Sequence, residues 1–228
     1  MRKWPIYTAC VLGSLQAQMV TAVEPNAQAA HSPSIQKYEA KNYNYLLGKV
    51  AGLNDELLNM HFKLYQGYVT NSNTLLQKLQ ELTNKGENRS QDFAGLKRML
   101  GWEMDGMLLH EYYFENLGGT QQLDKKDPLY AKIVADFGSY DAWKADFIAT
   151  GLIRGIGWVV TYQEPKTGRL INAWINEHDL GHLAGAKPLL IMDVFEHAYI
   201  TQYGLDRAKY IDVFFNNLNW EAVSKRFQ

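Results

Sequence analysis

The chain has 228 residues, with 23 Lys and Arg against 24 Asp and Glu, for a formal charge of −1. A balanced charge argues against a nucleic-acid partner, since such binders carry clustered basic side chains. With 46% hydrophobic and 21% charged residues, the chain can bury a core, which excludes disorder over most of its length. Its single cysteine, Cys10, excludes an intramolecular disulfide and a thiolate zinc cluster.

Arg2 and Lys3 precede twenty uncharged residues, Trp4 to Val23, thirteen of them apolar. Ala27-Gln28-Ala29 follows shortly after. A short basic start, an apolar middle and a small-residue end describe a secretory signal peptide over residues 1–29. A stretch of this length could also span a bilayer, but Pro5, Gln16 and Gln18 interrupt it. Tyr7-Thr8-Ala9 is a poor context for lipid attachment at Cys10. The expectation is export to a periplasm or the exterior, with no stable membrane association after leader cleavage. Removing Arg2, Lys3 and Glu24 with the leader takes the charge to −2 and removes the cysteine. The remainder is indifferent to an oxidising compartment.

Residues from Ala30 to Asn42 are polar and read as an extended arm. Leu57, Leu58, His61, Leu64, Tyr65 and Tyr68 then recur at three- and four-residue spacing, which predicts a helix capped at Asn54 or Asp55 and running through Leu79. A polar break at Lys85 to Gln91 separates it from a second helix, Phe93 to Leu117, ended by Gly118-Gly119. Asp127-Pro128 opens a third, which the pattern carries on through Asp136 to Thr150. After Gly155 and Gly157 the period changes. Trp158 to Tyr162 and Arg169 to Ile175 read as a hairpin, and Pro188 to Met192 as a buried third strand. From Glu196 to Gln228 the pattern is helical again. The order is α+β: a long helical hairpin in an N-terminal domain, residues 30–120, then a C-terminal domain, residues 121–228, with a small three-stranded antiparallel sheet.

The chemistry lies in the histidines. His31 falls in the arm. His61 shares a helix face with Tyr68, seven residues on; a lone histidine there is more often a packed core residue than a ligand. His110 sits in an aromatic stretch, with Gly106 one turn before it. Glycine inside a helix costs roughly 1 kcal/mol relative to alanine, and room beside His110 or close helix packing would explain it. Asp193 ends the buried strand, with His197 four residues later. A buried carboxylate must be paired or coordinated, a helix cap being the alternative. Three imidazoles and one carboxylate suit a borderline transition metal, Zn, Cu, Fe, Ni or Mn, and spacing alone does not choose.

The segment Asp193-Val-Phe-Glu-His197-Ala-Tyr resembles the Asp-x-Trp-Glu-His-Ala-Tyr signature of the iron/manganese superoxide dismutases. The likeness continues through Met60-His61, Tyr68-Val69, His110, Gly157-Trp158, Asp206-Arg207, Tyr210-Ile211 and Asn219-Trp220, covering Asn42 to Phe227. It implies dismutation of superoxide to O2 and H2O2 at one Fe or Mn ion per subunit, held by His61, His110, Asp193 and His197. It implies catalytic roles for Tyr68 at the substrate entrance and Arg207 near the funnel. Glu196 corresponds to the carboxylate that reaches a partner subunit's metal-ligand histidine, so a homodimer is expected, with tetramer formation open.

Four departures stand out. The family's solvent-binding glutamine is replaced at one of its two positions by Gly106 and at the other by His178, which makes His178 the expected solvent-binding group and predicts a distinctive pH profile. Phe195 stands for the signature tryptophan. Tyr65 and Ile200 stand where a gateway histidine and its cross-dimer tyrosine are common. These changes keep a second reading open, a metal-binding relative with little dismutase activity.

Overall fold

Six of the helices begin where a short polar side chain takes up an otherwise free amide. The computed structural model describes residues 36–119 and 122–227. The expected leader, Cys10, His31 and the first part of the arm lie outside the described residues. Asn54 caps α1 (Asp55–Asn84) and Ser90 caps α2 (Gln91–Glu115), each accepting from the amide three residues on. Asp127 caps α3 (Pro128–Phe137), with proline in its first turn. Ser139 caps α4 (Tyr140–Gly151).

The predicted continuous helix from Asp127 to Thr150 is therefore two. Gly138 between them sits at φ +84°, a left-handed conformation that ends α3. The C-terminal stretch is likewise broken. It comprises a 3-10 turn (Glu196–Ala198), α5 (Ile200–Tyr203), α6 (Arg207–Asn216) and α7 (Trp220–Arg226). Asp206 and Asn219 are side-chain caps, and such residues mark new helix starts that a continuous apolar pattern hides.

The long hairpin forms because α1 and α2 each bury one stripe. On α1 it holds Leu57, Leu58, His61, Phe62, Tyr65 and Val69; on α2 it holds Gly106, Met107, His110, Tyr113 and Phe114. His61 and His110 are both part of the packed face.

The sheet has the order β2-β1-β3, all antiparallel, from β1 (Gly157–Gln163), β2 (Leu170–Asn176) and β3 (Lys187–Asp193). The central β1 is buried from Gly157 to Tyr162, and β3 from Leu189 to Asp193. Register sets the site: Trp158 on β1 pairs with Asp193 on β3 and with Ile175 on β2. One buried core joins the hairpin, through Phe62, Tyr113 and Phe114, to the sheet, through Trp158 and Ile191.

Candidate metal centre

Four separate segments deliver four donors to one point. His61 comes from α1, His110 from α2, Asp193 from the last position of β3 and His197 from the 3-10 turn. Asp193 is held at both ends. Its carbonyl accepts from the Tyr210 hydroxyl at 2.7 Å, and its Oδ1 accepts from the Phe195 amide at 2.8 Å. That leaves Oδ2 facing the Nε2 atoms of His197 at 3.0 Å, His61 at 3.1 Å and His110 at 3.6 Å.

This geometry fits a metal ion. Donors about 2.1 Å from a common ion lie about 3.0 Å apart at a right angle and about 3.6 Å apart at 120°. All four donor atoms lie within 4.8 Å of one another. His110 gives the sharpest indication. Its Nδ1–H donates to the Gly106 carbonyl at 2.5 Å, which leaves Nε2 as a bare lone pair. That Nε2 is fully buried and has no hydrogen-bond partner. An orphaned acceptor beside a buried carboxylate calls for a cation between them. Burial pushes the His61 and His110 imidazoles down, toward the neutral, ligating form. Burial alone would push the Asp193 carboxyl up, but His197 and His61 hold it well below the usual range, so it is charged.

A hydrogen-bonded chain runs beside the donors. The Trp158 indole N–H donates to His178 Nδ1 at 3.1 Å. Since an indole can only donate, Nδ1 is the acceptor and Nε2 carries the proton. Nε2–H then donates to the Tyr68 hydroxyl at 2.7 Å. His178 is wholly buried, stacked on Phe195 at 4.7 Å and met edge-on by Trp102 at 4.7 Å. Both its nitrogens are occupied within the protein, so its direct partner is Tyr68, where the sequence pointed to bound solvent. Burial pushes its pKa down to about 4, which favours the neutral imidazole.

Gly106 is resolved by sterics. A Cβ there would lie 2.6–3.0 Å from three ring atoms of Tyr68. The missing side chain makes room for the Tyr68 ring, which stacks on His110 at 5.1 Å.

Arg207 is committed to structure. Its guanidinium donates to the carbonyls of Ile153 and Gly155 and to the Tyr199 hydroxyl, at 2.8–3.0 Å, pinning the α4–β1 loop to the segment after His197. Glu196 is solvent-exposed on the single chain. Tyr65, at the gateway position, donates to Glu111 Oε1 at 2.9 Å and accepts from the Lys41 amide at 3.0 Å, so its hydroxyl ties the arm to α2. Ile200 is exposed.

Sequence reasoning missed Trp102, the Tyr210 contact to Asp193, and His182. Only His182 left a signal, as a second histidine four residues after His178. The Tyr210 and Trp102 contacts are brought about by packing between segments remote in sequence.

A set of three imidazoles and one carboxylate, all but His197 buried and flanked by a tyrosine–histidine–tryptophan chain, defines a mononuclear metalloenzyme centre on an α+β scaffold. Comparison with known proteins narrows the class. The family model described as iron/manganese superoxide dismutases, C-terminal domain, matches residues 125–226. The chain is 37% identical over 194 residues to the iron superoxide dismutase of Cupriavidus metallidurans, covering 83% of this chain and 96% of that relative. It is 36% identical over 180 residues to that of Pyrobaculum aerophilum, covering 76% and 83%. It is 31% identical over 177 residues to a manganese superoxide dismutase of Haloferax volcanii, covering 77% and 87%. The chain belongs to the iron/manganese superoxide dismutases. Its reaction is superoxide dismutation, and its cofactor is iron or manganese.

Proposed function

We propose that this dismutase holds its ion through His61, His110, Asp193 and His197, uses Tyr68 and His178 to manage protons beside it, and works outside the cytoplasm as a homodimer. Bound by these four residues, iron or manganese would supply the one-electron exchange by which two superoxide ions and two protons become O2 and H2O2.

The residues do the rest. Asp193 offsets cationic charge with its carboxylate, and the neutral imidazoles supply lone pairs at Nε2. Because His178 Nε2–H donates to the Tyr68 oxygen, the Tyr68 O–H is left to donate elsewhere. Burial first, then the negative charge on Asp193, holds the Tyr68 phenol well above its ordinary range, so it stays protonated and is a standing donor. The aromatic walls, Phe195, Trp102, Trp158 and Phe114, exclude water around the four donors. Arg207 acts by holding the segment after His197 in place, and it also places a positive charge there for an anionic substrate.

The observation that carries the reading is the convergence of three Nε2 atoms on one carboxylate oxygen, with an unpartnered buried Nε2 among them. Export is supported by the basic, apolar and Ala-x-Ala order of residues 1–29. Exposed Glu196, adjacent to His197, supports a partner-facing role for its carboxylate. The test is dismutation by the chain lacking residues 1–29, loaded in parallel with iron and with manganese. Metal content, sedimentation and N-terminal sequencing of exported material accompany it. One ion per subunit, high activity with at least one metal, a dimer, and a mature start at Ala30 are expected. Bound metal without activity in either form would overturn the assignment of Tyr68 and His178.

A further inference from the structure

We infer that His182 is a positioning residue for the reaction: it fixes the loop that carries His178, and through it the Trp158–His178–Tyr68 chain. The inference rests on the role given above to His178.

The loop between β2 and β3 reverses tightly. Asn176 and Leu180 exchange hydrogen bonds, Asn176 N–H to the Leu180 carbonyl at 2.8 Å and Leu180 N–H to the Asn176 carbonyl at 3.3 Å. Between them Glu177 adopts φ +53°, and it is the sole non-glycine residue at positive φ among the described residues. Such a conformation is unfavourable for a side chain with a Cβ and persists only where neighbouring contacts enforce it. Gly181, at φ +108°, then passes so close to β2 that a Cβ would meet the Trp174 carbonyl oxygen at 2.8 Å. The reversal returns the chain so that His182 lies against His178.

His182 Nε2 is 2.8 Å from the His178 carbonyl oxygen, and its Nδ1 is 2.7 Å from the Tyr162 hydroxyl. A carbonyl can only accept, so Nε2 carries a proton and donates it to His178, while Nδ1 is hydrogen-bonded to the Tyr162 hydroxyl. Asp105 Oδ2 on α2 lies 3.7 Å from the same Nε2. One imidazole thus ties the His178 backbone to β1 through Tyr162 and faces α2 through Asp105. The His178 side chain has no latitude to compensate for a backbone shift. Its two nitrogens are satisfied by groups on β1 and α1, and its faces are set by Phe195 and Trp102. A displacement of the His178 backbone must therefore lengthen one of those two hydrogen bonds.

The test follows the Trp158 indole proton, which reports on its His178 acceptor without reference to turnover. Its hydrogen exchange is measured by NMR on the full chain loaded with zinc, which suits imidazole and carboxylate donors and is diamagnetic. His182→Ala is expected to speed that exchange about tenfold or more and to lower dismutation by the iron- or manganese-loaded protein about tenfold, the low end for groups that orient a metal site. His182→Gln, whose amide can still donate to the His178 carbonyl, is expected to restore both. An unchanged exchange rate in a folded His182→Ala protein overturns the inference, whatever its activity. Should that variant fail to fold, Tyr162→Phe removes the partner that orients the ring, and faster or unchanged exchange decides in the same way. His178→Ala run alongside separates the two failures. Full dismutation by His178→Ala sinks the reading of His178 itself, and this inference with it. A slow His178→Ala with an unmoved indole in His182→Ala sinks this inference alone.

Discussion

Gly106→Ala is the most demanding test of the arrangement around Tyr68, because it adds one methyl group and nothing else. The new Cβ would stand 2.6 Å from Tyr68 Cδ1, 2.8 Å from Cε1 and 3.0 Å from Cγ. Carbon atoms rest about 3.5–4.0 Å apart, so the ring must retreat by about 1 Å. Its face stacks on His110 and its hydroxyl is held by His178 at 2.7 Å. A retreat of that size carries the hydrogen bond past about 3.5 Å, where it ceases to be one. Overpacking costs about 1–3 kcal/mol and the lost hydrogen bond about 1 kcal/mol. Replacing glycine by alanine in a helix returns about 1 kcal/mol. The net is a destabilisation of about 1–3 kcal/mol, read as a fall in Tm of about 2–4 °C per kcal/mol for a domain of this size. Dismutation should fall about tenfold or more, since the Tyr68–His178 contact is broken. Urea unfolding and a stopped-flow dismutation assay on the same metal-loaded preparation measure both. A variant more stable by the full helix-propensity gain, with undiminished rate, would refute the claim that Gly106 exists to seat the Tyr68 ring.

Three further outcomes are expected. Asp193→Asn removes the charge that faces three Nε2 atoms but keeps an oxygen for the Phe195 amide, so the chain should fold yet retain less than about a tenth of the wild-type metal after dialysis; elemental analysis decides, and full occupancy would count against the ligand set. In the metal-free chain, His178 has its folded pKa lowered from 6.5 to about 4. Its contribution to stability is complete above pH 6.5 and is lost as pH falls from there toward 4, because the unfolded state takes up the proton first. Wild type should therefore lose about 3 kcal/mol more than His178→Gln between about pH 7.5 and about pH 4; equal losses would mean the imidazole is not held neutral. Tyr65→Phe frees the Lys41 amide and Glu111 from their shared hydroxyl and should cost about 1–2 kcal/mol in urea unfolding. Its dismutation rate should stay within about twofold, and a far larger drop would show that Tyr65 reaches the metal centre as well as the arm.

What could be read from the chain alone follows from how each feature is encoded. The hairpin was legible because α1 and α2 bury a stripe with regular spacing, and the caps at Asn54 and Asp127 are local. The three strands were legible because the period changes abruptly after Gly157 and the buried Leu189 to Met192 run is uninterrupted. The breaks at Gly138 and Asp206 were not, because an apolar pattern continues across each of them while the backbone turns. The ligands were legible as residue types and through the signature around Asp193, but their convergence depends on a register, Trp158 opposite Asp193, that no local pattern states. The same limit explains His178. Its residue type suggested a titrating group that touches solvent. Its environment, an indole donor on one nitrogen, a phenol on the other and aromatic rings on its faces, makes it a neutral spacer that sets the Tyr68 proton. A buried histidine is defined by which of its nitrogens is already spoken for, and both partners here arrive from segments more than fifteen residues away. The departures at positions 106, 178 and 195 then form one connected change. Histidine at position 178 needs a flat neighbour, which Phe195 supplies by stacking, and Gly106 leaves space for the tyrosine that His178 must reach. An exchange at any one of the three positions moves the other two, which is why single substitutions toward the family residues should not restore the family geometry.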